Sequence, residues 1–195
     1  MSLPEATDLK IRDADPARDA AACAAIYAPA VEGSVTSFEL QAPSAEEIAD
    51  RMRGYQRTHP WLVAERGGEV VGYAYACEFN PRPAYRWSAS VSVYVADGER
   101  GSGRGRALYE ELFARLRRQG IRMACAGITL PNPASVALHE RLGFQPVGVL
   151  REIGWKEGEW LDVGWWQLEL SPSAAGPPPE PLPPHTSPPD APPPG

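Results

Sequence analysis

Apolar positions recur along this chain with two periods, and the switches between them outline alternating strands and helices. Leu9 to Arg12 alternates as a short strand. Asp15-Pro16 supplies a helix N-cap and the favoured first-turn proline, and an Ala-rich helix follows to about Ala28. Gly33 to Phe38 reads as a strand or an extended loop. Ser44-Ala-Glu-Glu47 is a capping box, continued at helical spacing by Ile48, Met52 and Tyr55. Two apolar runs, Trp61 to Glu65 and Val70 to Cys77, are joined through Arg66-Gly67-Gly68-Glu69, a hairpin signal because primed turns need positive φ. Ser90 to Val95 alternates as a strand; Leu108, Leu112 and Leu116 mark a helix that stops at Gly120. Met123 to Leu130 is a further strand, and Pro131-Asn132-Pro133 caps a helix with Leu138 and Leu142 inward and Gly143 as its stop. Val147 to Trp155 and Trp160 to Leu170 form a closing pair across Glu157-Gly158. This order, with its hairpins, predicts a mostly antiparallel sheet flanked by helices rather than a regular βαβ alternation.

Between the strand ending at Val95 and the helix through Leu108 lies Glu99-Arg-Gly-Ser-Gly-Arg-Gly-Arg106. Close-set glycines let backbone amides converge on one point, and the following helix start carries about half a positive charge. Arg100, Arg104 and Arg106 add cations there, so Arg100 to Arg106 (with Gly101, Ser102, Gly103 and Gly105) reads as a pyrophosphate cradle. The plainer reading is a surface loop with solvated arginines. A dinucleotide fingerprint fails because Arg106 stands at its third glycine, and no G-K-S or G-K-T follows for a P-loop.

Composition narrows the rest. Of 22 prolines in 195 residues, twelve lie from Ser171 onward, so the chain divides into a domain of residues 1–170 and a Pro-rich tail of 171–195. The tail is expected to be disordered or polyproline II, and its P-x-x-P spacings also fit a ligand of SH3-type domains. Net charge is −6, or −4 without Glu180 and Asp190 of the tail, which argues against a general nucleic-acid binder. Cys23, Cys77 and Cys125 are odd in number and far apart, which suggests neither a disulfide framework nor a metal site. With no signal pattern and no run of 18 apolar residues, a soluble cytoplasmic protein without membrane association is expected.

Arg100, Gly103 and Gly105 form R-x-x-G-x-G, which resembles the acetyl-CoA motif of the GCN5-related N-acetyltransferase (GNAT) superfamily. Asn132-x-x-Ser135-x-x-Leu138-His139-Glu140-x-Leu142-Gly143-Phe144 resembles its second, pantetheine-binding motif. Together with Trp61-Leu-Val-Ala-Glu65, Ala84-Tyr85, Val93-Tyr94-Val95, Leu130-Pro-Asn132 and Asp162-Val-Gly164-x-Trp166-Gln-Leu168, the chain is similar from about Leu9 to Leu170 to the phosphinothricin and methionine sulfoximine/sulfone acetyltransferases.

The resemblance implies an α/β (α+β) GNAT fold, a mixed, mostly antiparallel sheet of about seven strands with about four helices. It implies acetyl transfer from acetyl-CoA to the amine of a small amino-acid-like acceptor, directly in a ternary complex, by a homodimer. Val93, Tyr94 and Val95 would meet the thioester carbonyl, and Asn132 and Ser135 would hold the pantetheine arm. Phe38, Arg82, Tyr85, Thr129 and Val163 would form the acceptor pocket, with Arg82 gripping an α-carboxylate. His139 stands where many members carry a tyrosine acid, and it would protonate the thiolate, relay protons, or only position water or substrate. Relatives carry a glutamate base on the strand before the loop, in a pattern like W-T-A-E-S-T-V-Y-V. Here Trp87-Ser-Ala-Ser-Val-Ser-Val-Tyr-Val95 places Ser90 at that position. Three outcomes are open: a water relay through Ser90 and His139, replacement by Glu78, or a weakened enzyme. An acetyl-CoA-binding module without effective catalysis and a protein or peptide N-acetyltransferase are the alternatives. Trp155, Trp160, Trp165 and Trp166 mark core or an interface.

Overall fold

Alternation along each strand sorts the side chains onto two faces of one sheet. In a computed structural model, which describes residues 9–173 and 175–184, seven strands and four α-helices are present among the described residues. The strands are β1 (Lys10–Asp13), β2 (Trp61–Arg66), β3 (Glu69–Glu78), β4 (Ser88–Val95), β5 (Met123–Leu130), β6 (Gln145–Lys156) and β7 (Glu159–Glu169). Their order is β1-β2-β3-β4-β5-β7-β6, and every neighbouring pair is antiparallel except β4–β5. The helices are α1 (Pro16–Glu32), α2 (Ala45–Tyr55), α3 (Arg104–Gln119) and α4 (Pro133–Arg141).

One face carries Leu62, Ala74, Ala76, Ala89, Val91, Ala124 and Ala126, small enough for α3 to seat Leu108, Leu112 and Leu116 directly on the sheet. Each fully buried leucine is worth roughly 1.5–3 kcal/mol, so this stripe fixes the helix that follows the glycine loop. The other face presents Trp61, Val63 and Tyr73 to Cys23, Tyr27, Ile48 and Met52 of α1 and α2.

The capping box at Ser44 and the Asp15 cap form as expected. Helix α1 runs past Ala28 to Glu32 with Pro29 inside, because a proline in the last turn costs one amide donor while Gly33 N–H still closes on the Pro29 carbonyl. Gly33 to Phe38 forms a loop, not a strand. In β6 the register jumps between Leu150 and Gly154, where Glu152 has φ 48° and its amide donates to Asp162.

Residues 175–184, part of the tail expected to be disordered or polyproline II, lie against the domain. Trp87 donates its indole N–H to the Pro179 carbonyl (2.8 Å), Arg86 pairs with Glu180 (2.9 Å), and Leu182 exchanges two hydrogen bonds with Gln119. These anchors supply polar partners that a compositional reading has no means to see. The rest of the tail lies outside the described residues.

Candidate active site

Strands β4 and β5 pair over only three rungs, ending at Ser90↔Cys125. Beyond Ser90 they separate, and main-chain amides of β4 facing β5 lose their ladder partners. The resulting V holds a cleft of about 80 Å³ that opens to solvent. The cleft passes through the sheet. Tyr109, Asn132, Ser135 and His139 line it from the α3–α4 side, while Thr36, Ser92, Tyr94, Gly127 and Thr129 line it from the α1–α2 side. Val91, Val93, Ala126 and Ile128 form its walls.

On the first side, Asn132 caps α4 by accepting the Ser135 amide (3.1 Å). His139, 4 % exposed, gives its Nδ1–H to the Ser135 carbonyl at 2.8 Å. A carbonyl only accepts, so Nε2 of the neutral ring accepts the hydroxyl proton of buried Tyr109 at 3.1 Å. Burial lowers the His139 pKa, opposed by the Ser135 carbonyl. The ring is therefore neutral with both nitrogens engaged, an arrangement that orients Tyr109 and lacks a spare acidic proton near neutral pH.

On the second side, Thr129 Oγ1 donates to the Thr36 carbonyl (3.4 Å), and Val163 pairs with Thr129 across β5–β7. Trp165 stands beside bare Gly127 and meets Phe79 edge-on at 5.9 Å; Phe79 in turn meets Tyr85 at 5.8 Å. This aromatic run ties the loop after β3 to β7. Arg82 is exposed on that loop, its amide held by Asn80. Phe38 packs its ring over Gly154 of β6.

At the mouth of the V, Gly101 (φ 75°) and Gly103 (φ 84°) both adopt the left-handed conformation, with open space where a Cβ would stand. Gly103 is the N-cap of α3 and offers no side-chain cap, so the first amides of the helix remain available to a ligand. Arg104 and Arg106 in that first turn oppose the helix dipole, an arrangement that an anion would relieve. Their carboxylate partners differ in kind. Arg104 is mostly buried on Glu99 (2.6 Å), which also pairs with Arg66, whereas Arg100 on Asp97 (2.8 Å) and Arg106 on Glu110 (2.7 Å) are exposed. Arg104 thus braces the loop, and its Nε is buried without a partner.

A model of the acetyltransferase (GNAT) domain matches residues 13–165. The chain belongs to the GNAT acetyltransferase family. It is 39 % identical over 179 residues to a phosphinothricin N-acetyltransferase of Streptomyces viridochromogenes, covering 92 % of this chain and 96 % of that one. It is 38 % identical to an L-methionine sulfoximine/L-methionine sulfone acetyltransferase of Pseudomonas paraeruginosa, covering 86 % and 98 %. A phosphinothricin acetyltransferase from Sinorhizobium meliloti, solved in complex with acetyl-CoA, superposes with TM-score 0.83 at 37 % identity, covering 88 % and 94 %. The protein is an acetyl-CoA-dependent N-acetyltransferase, and the uncapped helix, the glycine cradle and the splayed strands suit that co-substrate.

Of the residues anticipated for the acetyltransferase site, Val93, Tyr94, Thr129, Asn132, Ser135 and His139 meet in the cleft. Val95, Arg100 to Arg106, Phe38, Arg82, Tyr85 and Val163 stand outside its lining. Ser90 is half-buried on the last rung, flanked across the sheet by Cys77 and Cys125 on the α1–α2 face. Burial pushes the Cys77 thiol up to about 11, so it is no substitute base. Glu78 is exposed and pairs with Ala89, which alternation puts on the opposite face from Ser90. Of the three outcomes open for the missing base, replacement by Glu78 is disfavoured by this register, which puts its carboxylate on the α3–α4 face of the sheet. Sequence reasoning missed Thr36, Ser92 and Tyr109. Tyr109 carried a signal, since a tyrosine on the inward stripe of α3 needs a partner for its hydroxyl.

Proposed function

We propose that this acetyltransferase acylates the amine of a small amino-acid-like acceptor of the phosphinothricin, methionine sulfoximine or methionine sulfone type, by direct attack in a ternary complex. The carrying observation is the cleft that passes through the sheet, because it lets two substrates meet from opposite faces. Acetyl-CoA supplies an activated acetyl group to the amine. Backbone amides of Gly101 to Gly105, with Arg100 and Arg106 released from their surface partners, hold its phosphates. Asn132 and Ser135 hold the pantetheine arm, and an unpaired amide of Val93 to Val95 polarises the thioester carbonyl. Arg82 receives the acceptor carboxylate, with Phe38, Tyr85, Thr129 and Val163 around its side chain. No cysteine stands at an acyl-enzyme position; the amine attacks as its free base, Ser90 orients the water that takes up the proton released after attack, and His139 holds Tyr109.

The edge strand β6 exposes Val147, Val149, Leu150, Ile153 and Trp155, with Trp160 beside it, while Trp166 is core. A second copy covers this apolar edge in the homodimer we infer. Three free cysteines and acetyl-CoA dependence fit the reducing cytoplasm. Among the described residues no helix is long and apolar enough to cross a membrane, and no cluster of three His, Cys, Asp or Glu is placed to hold a metal. Residues through about 170 form the catalytic domain in this reading.

The test is CoA-thiol release with acetyl-CoA and a panel of amino-acid analogues, aminoglycosides and peptides. Turnover with an amino-acid analogue is expected. Preference for peptides, or tight acetyl-CoA binding with no turnover across the panel, would overturn the proposal.

A further inference from the structure

Lys156 is 4 % exposed, yet neither of its two hydrogen bonds goes to a carboxylate. Its Nζ donates to the carbonyl of Val31 (2.5 Å), in the last turn of α1, and to that of Ser37 (2.7 Å), in the loop that follows. A desolvated ammonium is costly, and here two main-chain acceptors and the negative end of α1 offset that cost. A buried cation spent on one loop indicates that the position of the loop matters.

That loop closes the acceptor side of the cleft. Thr36 lines the cleft and its carbonyl accepts from Thr129; Phe38 follows two residues later. Gly154 and Lys156 lie two apart on β6, so both face the loop. Gly154 makes room for the Phe38 ring, which a methyl group there would overlap, while Lys156 draws in the main chain on either side of Thr36. The remaining ties come from the helices. Tyr27 hydroxyl lies 2.6 Å from Ser37 Oγ and donates to Glu39 (2.9 Å), which accepts a two-pronged bond from Arg51 (2.6 and 2.9 Å). The Tyr27 ring also meets Tyr94 of the cleft edge-on at 4.8 Å.

We propose that Lys156 is a positioning residue for the acceptor, pulling the loop of residues 33–39 onto the sheet so that Thr36 and Phe38 present a preformed wall. This rests on the reading of that side of the cleft as the acceptor site. Acetyl-CoA enters from the other face, so the effect falls on one substrate only.

The test is Lys156→Met, which keeps the aliphatic stem and removes the donors. Acceptor KM should rise about tenfold or more with kcat within about threefold, the size set by losing hydrogen bonds from a charged donor. Acetyl-CoA Kd, measured by calorimetry, should stay within about twofold, and Lys156→Arg should restore much of the acceptor affinity because a guanidinium can still serve both carbonyls. Hydrogen exchange at residues 34–39 should quicken at least about tenfold while peptides of β4 and α3 exchange as in the wild type. Unchanged exchange in that loop, or equal weakening of both substrates, would overturn the proposal. If Lys156→Met does not fold, Lys156→Gln, which keeps a donor for one carbonyl, is read the same way. If the wild type acetylates no amino-acid analogue, the functional reading fails while loop exchange still decides the role of Lys156.

Discussion

Restoring a carboxylate at position 90 tests how the enzyme manages without one. In Ser90→Glu, the new side chain starts on the last β4–β5 rung and on the α1–α2 face, one strand repeat of about 6.6 Å from Ser92 at the cleft wall. The added length brings the carboxylate abreast of the cleft. Its surroundings are poorly solvated, as the neighbouring Cys77 thiol shows by rising from 9.0 to about 11. Similar desolvation would lift a glutamate from about 4.3 to roughly 6, close to the optimum for a base at neutral pH.

Without such a base the wild type depends on amine that is already deprotonated. For an acceptor with pKa of about 8, only about a tenth is free at pH 7, so log kcat/KM should climb with unit slope up to the amine pKa. Ser90→Glu should raise kcat/KM at pH 7 by about 10- to 100-fold, equivalent to ~1.4–2.7 kcal/mol of barrier, with an acid limb centred near pH 6. Initial rates of thiol release from about pH 5.5 to about pH 9.5 read both effects. Acetyl-CoA affinity serves as the control. Superimposable profiles of variant and wild type would refute the reasoning, because loss of the carboxylate would then not limit the rate.

Three further outcomes follow from the same geometry. Tyr109→Phe leaves His139 Nε2 buried without its donor, which should cost about 1–3 kcal/mol of stability in denaturant titrations and raise the His139 pKa seen by NMR, since the neutral ring loses its partner. Gly103→Ala forces a side chain into φ 84°, at a strain of roughly 1–2 kcal/mol, and should weaken acetyl-CoA binding in calorimetry several-fold or more while leaving α3 formed. His59 is buried, and desolvation lowers its pKa from 6.5 to about 4. The unfolded chain then binds the extra proton first, so stability should be full above pH 6.5 and fall by about 3 kcal/mol as pH drops towards 4; in His59→Gln that part of the pH dependence should vanish.

Much of the fold was legible in the sequence because local chemistry and long-range packing agree. The Ser44 box, the Gly67-Gly68 turn and the Leu108, Leu112 and Leu116 stripe each state one structure at one place. The glycine–arginine loop was readable for the same reason, since positive φ at Gly101 and Gly103 is a backbone requirement written in residue type. Where local preference was neutral, as at Gly33 to Phe38, the outcome was open between strand and loop.

Tertiary structure decided what depends on facing and distance. Alternation sent Glu78 to the wrong side of the sheet, and only the register with Ala89 shows it. The motif left His139 open between an acid, a proton relay and a positioning group, and only the fold shows the Ser135 carbonyl and the Tyr109 hydroxyl at its two nitrogens. Arg104 resembled its loop neighbours until burial against Glu99 made it a brace. By itself the sequence determined the family, the elements and the glycine–arginine loop, because periodicity, caps and glycines act within a few residues. The cleft, the neutral histidine and the Lys156 clamp are relations between segments as many as 125 residues apart, as in the Lys156–Val31 bond, and only folding brings such groups within hydrogen-bond reach.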